Sequence, residues 1–208
     1  MTGTAMNRER FRISAPAVVA LALIYYLSPV DKLLAVLLPV LVHELGHILA
    51  LRLLGLRICH FRVEMKGLCI GYRGYAGALG HTMAAAAGPA FGLFYALGAS
   101  LLAGRHQSSW LELTAGVSLL LSVFNLLPAL PLDGGRILYH ILSALLGENQ
   151  AERVSDIVSL AVGTILLGLG AYLMFCGLGL ALELAAVWLL LSTGRRTLPA
   201  RYHDIKLY

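Results

Sequence analysis

The run LLAVLLPVLVHELGHILALRLL, residues 33–54, decides the fold of this chain. As a helix it is long enough to cross about 30 Å of hydrocarbon. Its middle nevertheless carries His43, Glu44 and His47 within little more than one turn. An ionisable side chain at mid-membrane costs about 2.5–3.5 kcal/mol on insertion scales, and such residues usually mark function. The run therefore predicts a membrane helix that carries a functional site.

The rest of the chain has the same character. Its 208 residues are 59% hydrophobic and 13% charged, more apolar than a water-soluble domain can usually hide. The first apolar run follows arginines, as a signal peptide would, but Pro29-Val30-Asp31-Lys32 is a poor cleavage site, so we expect a retained helix. The sequence thus predicts an all-α membrane protein, a bundle of six transmembrane helices at Ile13–Leu27, Leu33–Leu54, Leu79–Ala103, Leu111–Leu127, Ile157–Phe175 and Leu178–Leu191.

The basic residues predict the orientation of the chain. They flank the apolar runs instead of forming a patch for nucleic acid, which we exclude as a partner. By the positive-inside rule, the regions that carry them are cytoplasmic. Six spans place both termini on one side, so we expect a multi-pass cell-membrane protein with both termini in the cytoplasm. The residues concerned are Arg8, Arg10, Arg12, Arg52, Arg57, Arg62, Lys66, Arg73, Arg195, Arg196, Arg201 and Lys206.

The segment from Ile58 to Tyr75 has a different period. Apolar and polar residues alternate along it, which is typical of a half-buried strand, and Lys66-Gly67 has the composition of a turn. The pattern favours a small β-hairpin at the cytoplasmic membrane surface over a simple connecting loop.

His43, Glu44 and His47 form an HExxH motif. Residues four apart lie on one helix face, so both imidazoles can bind one zinc ion. Glu44 can then take a proton from a water molecule without binding the metal. Hydrogen bonding for helix packing would explain one histidine, but it explains the triplet poorly.

A Pro/Gly-rich break, Asn125–Arg136, follows the fourth predicted span. Irregular backbone at membrane depth is tolerated only in protein or beside a wet cavity, so the break points to a site. Asp133 is the best third ligand, although an Asp-Gly turn would also suit it. Asn125 could hold a substrate carbonyl or cap its helix, and a short interfacial helix is expected at Ile137–Leu146. Other polar residues are weaker ligand candidates: Glu112, Glu183, His81 and His140.

Together these residues resemble the site-2 protease family of intramembrane metalloproteases. The resemblance rests on His43-Glu44-Leu45-Gly46-His47, on Gly88-Pro89, and on Asn125-Leu126-Leu127-Pro128 running into Pro131-Leu132-Asp133-Gly134-Gly135-Arg136. It implies that His43, His47 and Asp133 bind Zn2+, that Glu44 activates water, and that Asn125 helps to hold the substrate. Gly92 stands where the family often has asparagine.

Within that family the chain looks most like the stage IV sporulation protein FB branch. The resemblance implies cleavage of a membrane-associated pro-sigma factor in sporulation, under the control of inhibitory membrane partners. We expect one intramembrane metalloprotease domain over residues 1–208, with its core motifs in 33–136 and no PDZ or CBS domain.

Two other function classes fit parts of the pattern. A membrane metal-ion transporter also uses intramembrane histidines and carboxylates, but it needs successive sites and often shows repeats, whereas one cluster is found here. A catalytically inactive membrane regulator would keep the fold, but it would not need Glu44.

Overall fold

The computed structural model describes residues 11–13, 29–64, 67–74, 76–177 and 181–194. Within them the fold consists of six helices and a small three-stranded sheet, which confirms the predicted class. In chain order the elements are β1 (Phe11–Ile13), α1 (Val30–Leu53), β2 (Arg57–Glu64), β3 (Gly67–Arg73), α2 (Gly77–His106), α3 (Ser109–Asn125), α4 (Asp133–Leu146), α5 (Glu148–Phe175) and α6 (Ala181–Gly194).

Three of these helices, α1, α2 and α5, are long and apolar enough to cross a membrane. Two shorter apolar helices, Ser109–Asn125 and Leu182–Thr193, correspond to the predicted fourth and sixth spans. The predicted first span, Ile13–Leu27, lies outside the described residues except for Ile13. That residue ends β1, so the expected start of a helix at Ile13 is wrong, since its backbone pairs with β2 instead.

Large apolar side chains face outward, and small residues fill the interior. α1 exposes leucines such as Leu41 and Leu45. α2 buries Gly80, Ala84, Gly88, Gly92 and Ala96, which recur every four residues along one face. Lipid tails accept exposed leucines, while small residues let neighbouring helices approach closely. This distribution is that of a protein folded in a bilayer.

α2 is the centre of the helix packing. It packs against α1, α3 and α4, while α5 packs against α4 and α6. The starts of α1 and α3 are tied together by Trp110, whose indole Nε1 donates to the Asp31 carbonyl oxygen at 2.8 Å. The helices that carry the HExxH motif and the Pro/Gly break are therefore held around one central helix.

The predicted hairpin is present. β2 and β3 are antiparallel, with Arg57 opposite Arg73 and Glu64 opposite Gly67, and the expected turn at Lys66 is outside the described residues. β1 adds a third strand, parallel to β2, with Phe11 opposite Phe61. Sequence periodicity did not indicate β1, because three residues are too few to show alternation.

α4 begins at Asp133, four residues earlier than expected. The predicted break of irregular backbone extended to Arg136, but Gly134 and Gly135 lie in the first turn of this helix. A Cβ on Gly134 would lie 2.1 Å from the Leu126 carbonyl oxygen, and one on Gly135 would lie 2.4 Å from Leu130 N. The glycines are thus required by close packing of the preceding loop against the helix.

Candidate metal centre

His43 and His47 project from one face of α1 and meet inside the bundle. Their Nε2 atoms are 3.2 Å apart. The residues are only 4% and 6% exposed, so bulk water does not surround either ring. The four-residue spacing brings the two rings together, as expected from helix geometry.

Asp133 completes a triangle of potential ligand atoms. Its Oδ2 lies 3.1 Å from His43 Nε2 and 3.3 Å from His47 Nε2. Among the described residues, these three form the cluster whose atoms could hold a metal ion. A tetrahedral zinc ion with bonds of about 2.0–2.1 Å keeps its ligand atoms about 3.3–3.4 Å apart. The donor set and the size of the triangle therefore fit zinc.

The backbone of α2 fixes the orientation of His47. Its Nδ1 donates to the Ala84 carbonyl oxygen at 2.8 Å. In a neutral imidazole that bond leaves Nε2 with a free lone pair, directed at His43 and Asp133. Metal-binding histidines commonly have such an outer hydrogen bond, so His47 is preorganised as a ligand. His43 Nδ1 is buried and has no hydrogen-bond partner in the part of the chain that the structure describes.

Gly88 makes room for His47. A Cβ at position 88 would lie 2.2 Å from His47 Nε2, well inside contact distance. In the sequence, Gly88 was singled out only by the family resemblance. Its role of leaving space for His47 depends on the packing of α2 against α1, which the sequence does not show. Asp133 has a further neighbour in Arg136, whose Nη1 lies 3.6 Å from Asp133 Oδ1.

Glu44 and Asn125, the other two expected site residues, are both partly buried. Glu44 is adjacent to His43 on α1 but does not belong to the triangle of ligand atoms. Asn125 is the last residue of α3, and its Nδ2 donates to the Leu121 carbonyl oxygen at 3.0 Å. One amide N–H is therefore engaged in its own helix.

The weaker ligand candidates lie elsewhere. The His81 and His140 rings stack on each other, with centroids 5.0 Å apart. Glu112 is exposed at the start of α3, and Glu183 packs against Gly170 of α5. None of the four joins the described metal cluster. Two further residues, Ser159 and Thr193, bond to the loop before Asp133. Their role could not be predicted from the sequence, because a single hydroxyl residue in an apolar helix carries no distinctive pattern.

Comparison with known proteins places these features in a family. Residues 100–169 match the model of peptidase family M50, a segment that contains Asn125–Arg136. The "Putative zinc metalloprotease Rip3" of Mycobacterium tuberculosis is 31% identical over 159 residues, 68% of this chain and 40% of that protein. These matches support assignment to peptidase family M50, the site-2 protease family.

Two further similarities extend the M50 assignment. The "Putative zinc metalloprotease sll0528" of Synechocystis is 27% identical over 139 residues, 64% of this chain and 37% of that protein. The M50 chain thus spans well under half the length of these curated relatives. The solved structure of the site-2 protease from Methanocaldococcus jannaschii shares the fold, with a TM-score of 0.67 and 21% identity over 88% of this chain and 86% of that one.

Proposed function

We propose that this M50 chain is an intramembrane zinc metalloprotease that hydrolyses a peptide bond in or near the transmembrane segment of a membrane-associated protein. The observation that carries the proposal is the buried triangle of His43, His47 and Asp133 inside a bundle of apolar helices. Three buried ionisable residues at one depth are costly without a ligand to bind, and a peptidase family accounts for them.

In the proposed mechanism, His43, His47 and Asp133 hold the zinc ion. When bound, zinc polarises the scissile carbonyl and lowers the pKa of the attacking water. Glu44, next to His43, takes a proton from that water as the oxygen attacks the carbonyl carbon. It then delivers the proton to the departing amine nitrogen as the C–N bond breaks. The amine and carboxylic acid products balance the water consumed.

Two other elements are proposed to hold the substrate. Asn125 retains one amide N–H and its Oδ1, which can pair with an extended substrate backbone. β3 is an edge strand of the described sheet, so an unwound substrate segment can add to it as a further strand. Backbone pairing would offset the cost of unwinding a substrate helix in lipid.

The narrower proposals concern the biological setting. We propose that the substrate is a pro-sigma factor cleaved during sporulation, with inhibitory membrane partners, as in the FB branch that the motifs resemble. The chain would lie in the cell membrane with both termini cytoplasmic, and residues 1–208 would act as a single protease domain.

The test combines zinc content with cleavage. Wild type, His43→Ala, Asp133→Asn and Glu44→Gln are purified in detergent, and each is assayed on a membrane-embedded candidate substrate. We expect near-stoichiometric zinc in wild type and Glu44→Gln, strong loss of zinc in the other two, and cleavage by wild type alone.

Other outcomes are equally informative. Cleavage that survives Glu44→Gln would contradict the mechanism. Uptake of zinc into vesicles that contain the protein, without proteolysis, would favour a transporter. Binding of a membrane partner, without proteolysis or zinc uptake, would favour a regulator. Zinc retained in Asp133→Asn would assign the third ligand to another residue.

A further inference from the structure

The backbone of Leu130, three residues before Asp133, is bound on both sides by side chains from distant helices. Leu130 N donates to Ser159 Oγ of α5 at 2.8 Å. Thr193 Oγ1 of α6 donates to the Leu130 carbonyl oxygen at 3.3 Å and shares its proton with the Leu189 carbonyl oxygen at 3.0 Å. Ser159 is 0% exposed and Thr193 6% exposed, so water cannot readily replace either bond.

Apolar contacts anchor the same loop to the same two helices. Ala129 and Leu132, which flank the Leu130–Pro131 pair, are buried in one cluster with Leu189 of α6. Val162 and Leu166 of α5 pack against that cluster. Polar and apolar contacts thus attach the loop to α5 and α6.

The loop in turn is packed against the first turn of α4, which carries Asp133. A Cβ on Gly135 would lie 2.4 Å from both the Ala129 carbonyl carbon and Leu130 N. Leu132 N donates to the Ala129 carbonyl oxygen at 2.9 Å, which folds the loop directly into the helix start. A shift of Leu130 would therefore be transmitted to Asp133.

The two halves of the metal centre have different supports. His43 and His47 belong to α1, which packs against α2 and α3. Among the described residues, α5 and α6 have no extensive packing with α1, and α5 packs instead against α4, α6 and the loop before Asp133. α4 also packs against α2, so the position of Asp133 relative to the two histidines depends both on that contact and on where the α5–α6 pair holds the loop.

We propose that Ser159 and Thr193 are positioning residues for Asp133, through which α5 and α6 set the affinity of the centre for zinc. The inference rests on the metal site of the proposed function. It assigns to α5 and α6 a role in assembling a centre whose ligands they do not carry. A shift of the α5–α6 pair relative to α1 would weaken zinc binding, although the ligand residues themselves would be unchanged.

The first test measures zinc affinity of the full chain in detergent, by competition with a chelator. We compare wild type with Ser159→Ala, Thr193→Val and the double variant. Substitutions around metal ligands commonly weaken binding by about 10–100-fold, and we expect about tenfold for the double variant. Ser159→Thr, which keeps the hydroxyl, should restore affinity.

Ser155→Ala is the matched control. Ser155 lies one turn earlier on α5 and is 1% exposed, and its Oγ has no hydrogen-bond partner among the described residues. The zinc affinity of the Ser155→Ala variant should stay within about twofold of wild type. The proposal is overturned if Ser155→Ala weakens zinc binding as much as Ser159→Ala does, or if the double variant binds zinc as tightly as wild type.

Amide hydrogen exchange of residues 130–136 in the metal-free protein gives a readout independent of zinc. Loss of the Ser159 and Thr193 bonds should speed exchange there, while Ser155→Ala should leave it unchanged. If wild type binds no zinc, the proposed function fails, and exchange still decides whether the two hydroxyls hold the loop. Equal exchange in wild type and the double variant would refute the inference.

Discussion

At the residue scale, the metal centre depends as much on glycines as on its ligands. His47 occupies space that a side chain on Gly88 would need, and the first turn of α4 is close to the preceding loop because Gly134 and Gly135 lack side chains. Histidine and aspartate supply the donor atoms, and the absence of three side chains lets those donors converge.

Gly88→Ala tests this directly. The added Cβ would lie 2.2 Å from His47 Nε2, so we expect the imidazole to be displaced and zinc affinity to fall at least tenfold. Gly98→Ala on the same helix is the control, because nothing lies within 4 Å of its added Cβ. It should keep its zinc and gain up to about 1 kcal/mol from better helix propensity. Full zinc binding by Gly88→Ala would show that His47 is not confined as described.

Gly92 of α2 leaves space for a side chain of the neighbouring helix α3. A Cβ there would lie 2.2 Å from the Oγ of Ser122, a buried residue of α3 whose hydroxyl has no partner in the described part of the chain. The absence of a side chain at position 92 thus lets the Ser122 hydroxyl lie against α2, a contact that sequence position alone does not reveal.

At the element scale, the three-stranded sheet offers backbone for pairing. β2 lies between β1 and β3, so the outer side of β3 is an edge within the described sheet. Exposed edges readily accept another strand. The hairpin is connected through a short turn at Gly55 to α1, the helix that carries His43.

Proline scanning of Leu68, Cys69 and Ile70 tests whether β3 holds the substrate. Successive N–H groups point alternately to β2 and to the free edge, so proline at an edge-facing position removes one substrate hydrogen bond and leaves the hairpin paired. We expect cleavage to fall severalfold at such positions while zinc content stays at the wild-type level. Unchanged cleavage at all three positions would exclude strand addition on β3.

At the scale of the whole molecule, α4 joins two groups of helices. It packs against α2 on one side and α5 on the other, and it carries the ligand that completes the histidine pair. The proposed topology places the hairpin and the α4 region towards the cytoplasm. The turn between α5 and α6 would then face outward.

Chemical labelling of Cys176 tests that orientation. Its thiol is free and exposed at the end of α5. In a variant with Cys59 and Cys69 replaced by serine, a membrane-impermeant maleimide should label Cys176 in intact cells. Glu148→Cys with all three native cysteines replaced is the control, because that exposed position at the other end of α5 should react only after permeabilisation. The reverse pattern would invert the proposed topology.

Much of the fold is encoded in local sequence. Long apolar runs specify α1, α2 and α5 because a bilayer leaves a helix few alternatives for its backbone groups. Alternation specified β2 and β3. Helix ends were less accurate: α5 begins at Glu148 and not at Ile157, because its polar first turns continue the helix beyond the apolar run.

The sequence by itself determined that His43 and His47 share a helix face, since a four-residue spacing sets that geometry locally. It also indicated Asp133 by chemistry. Only the tertiary structure decided that Asp133 Oδ2 lies 3.1 Å from His43 Nε2, across 90 residues of chain. It also revealed the contacts of Gly88, Ser159 and Thr193. Packing between distant segments depends on shape and on absent side chains, and neither has a periodic signature in one sequence.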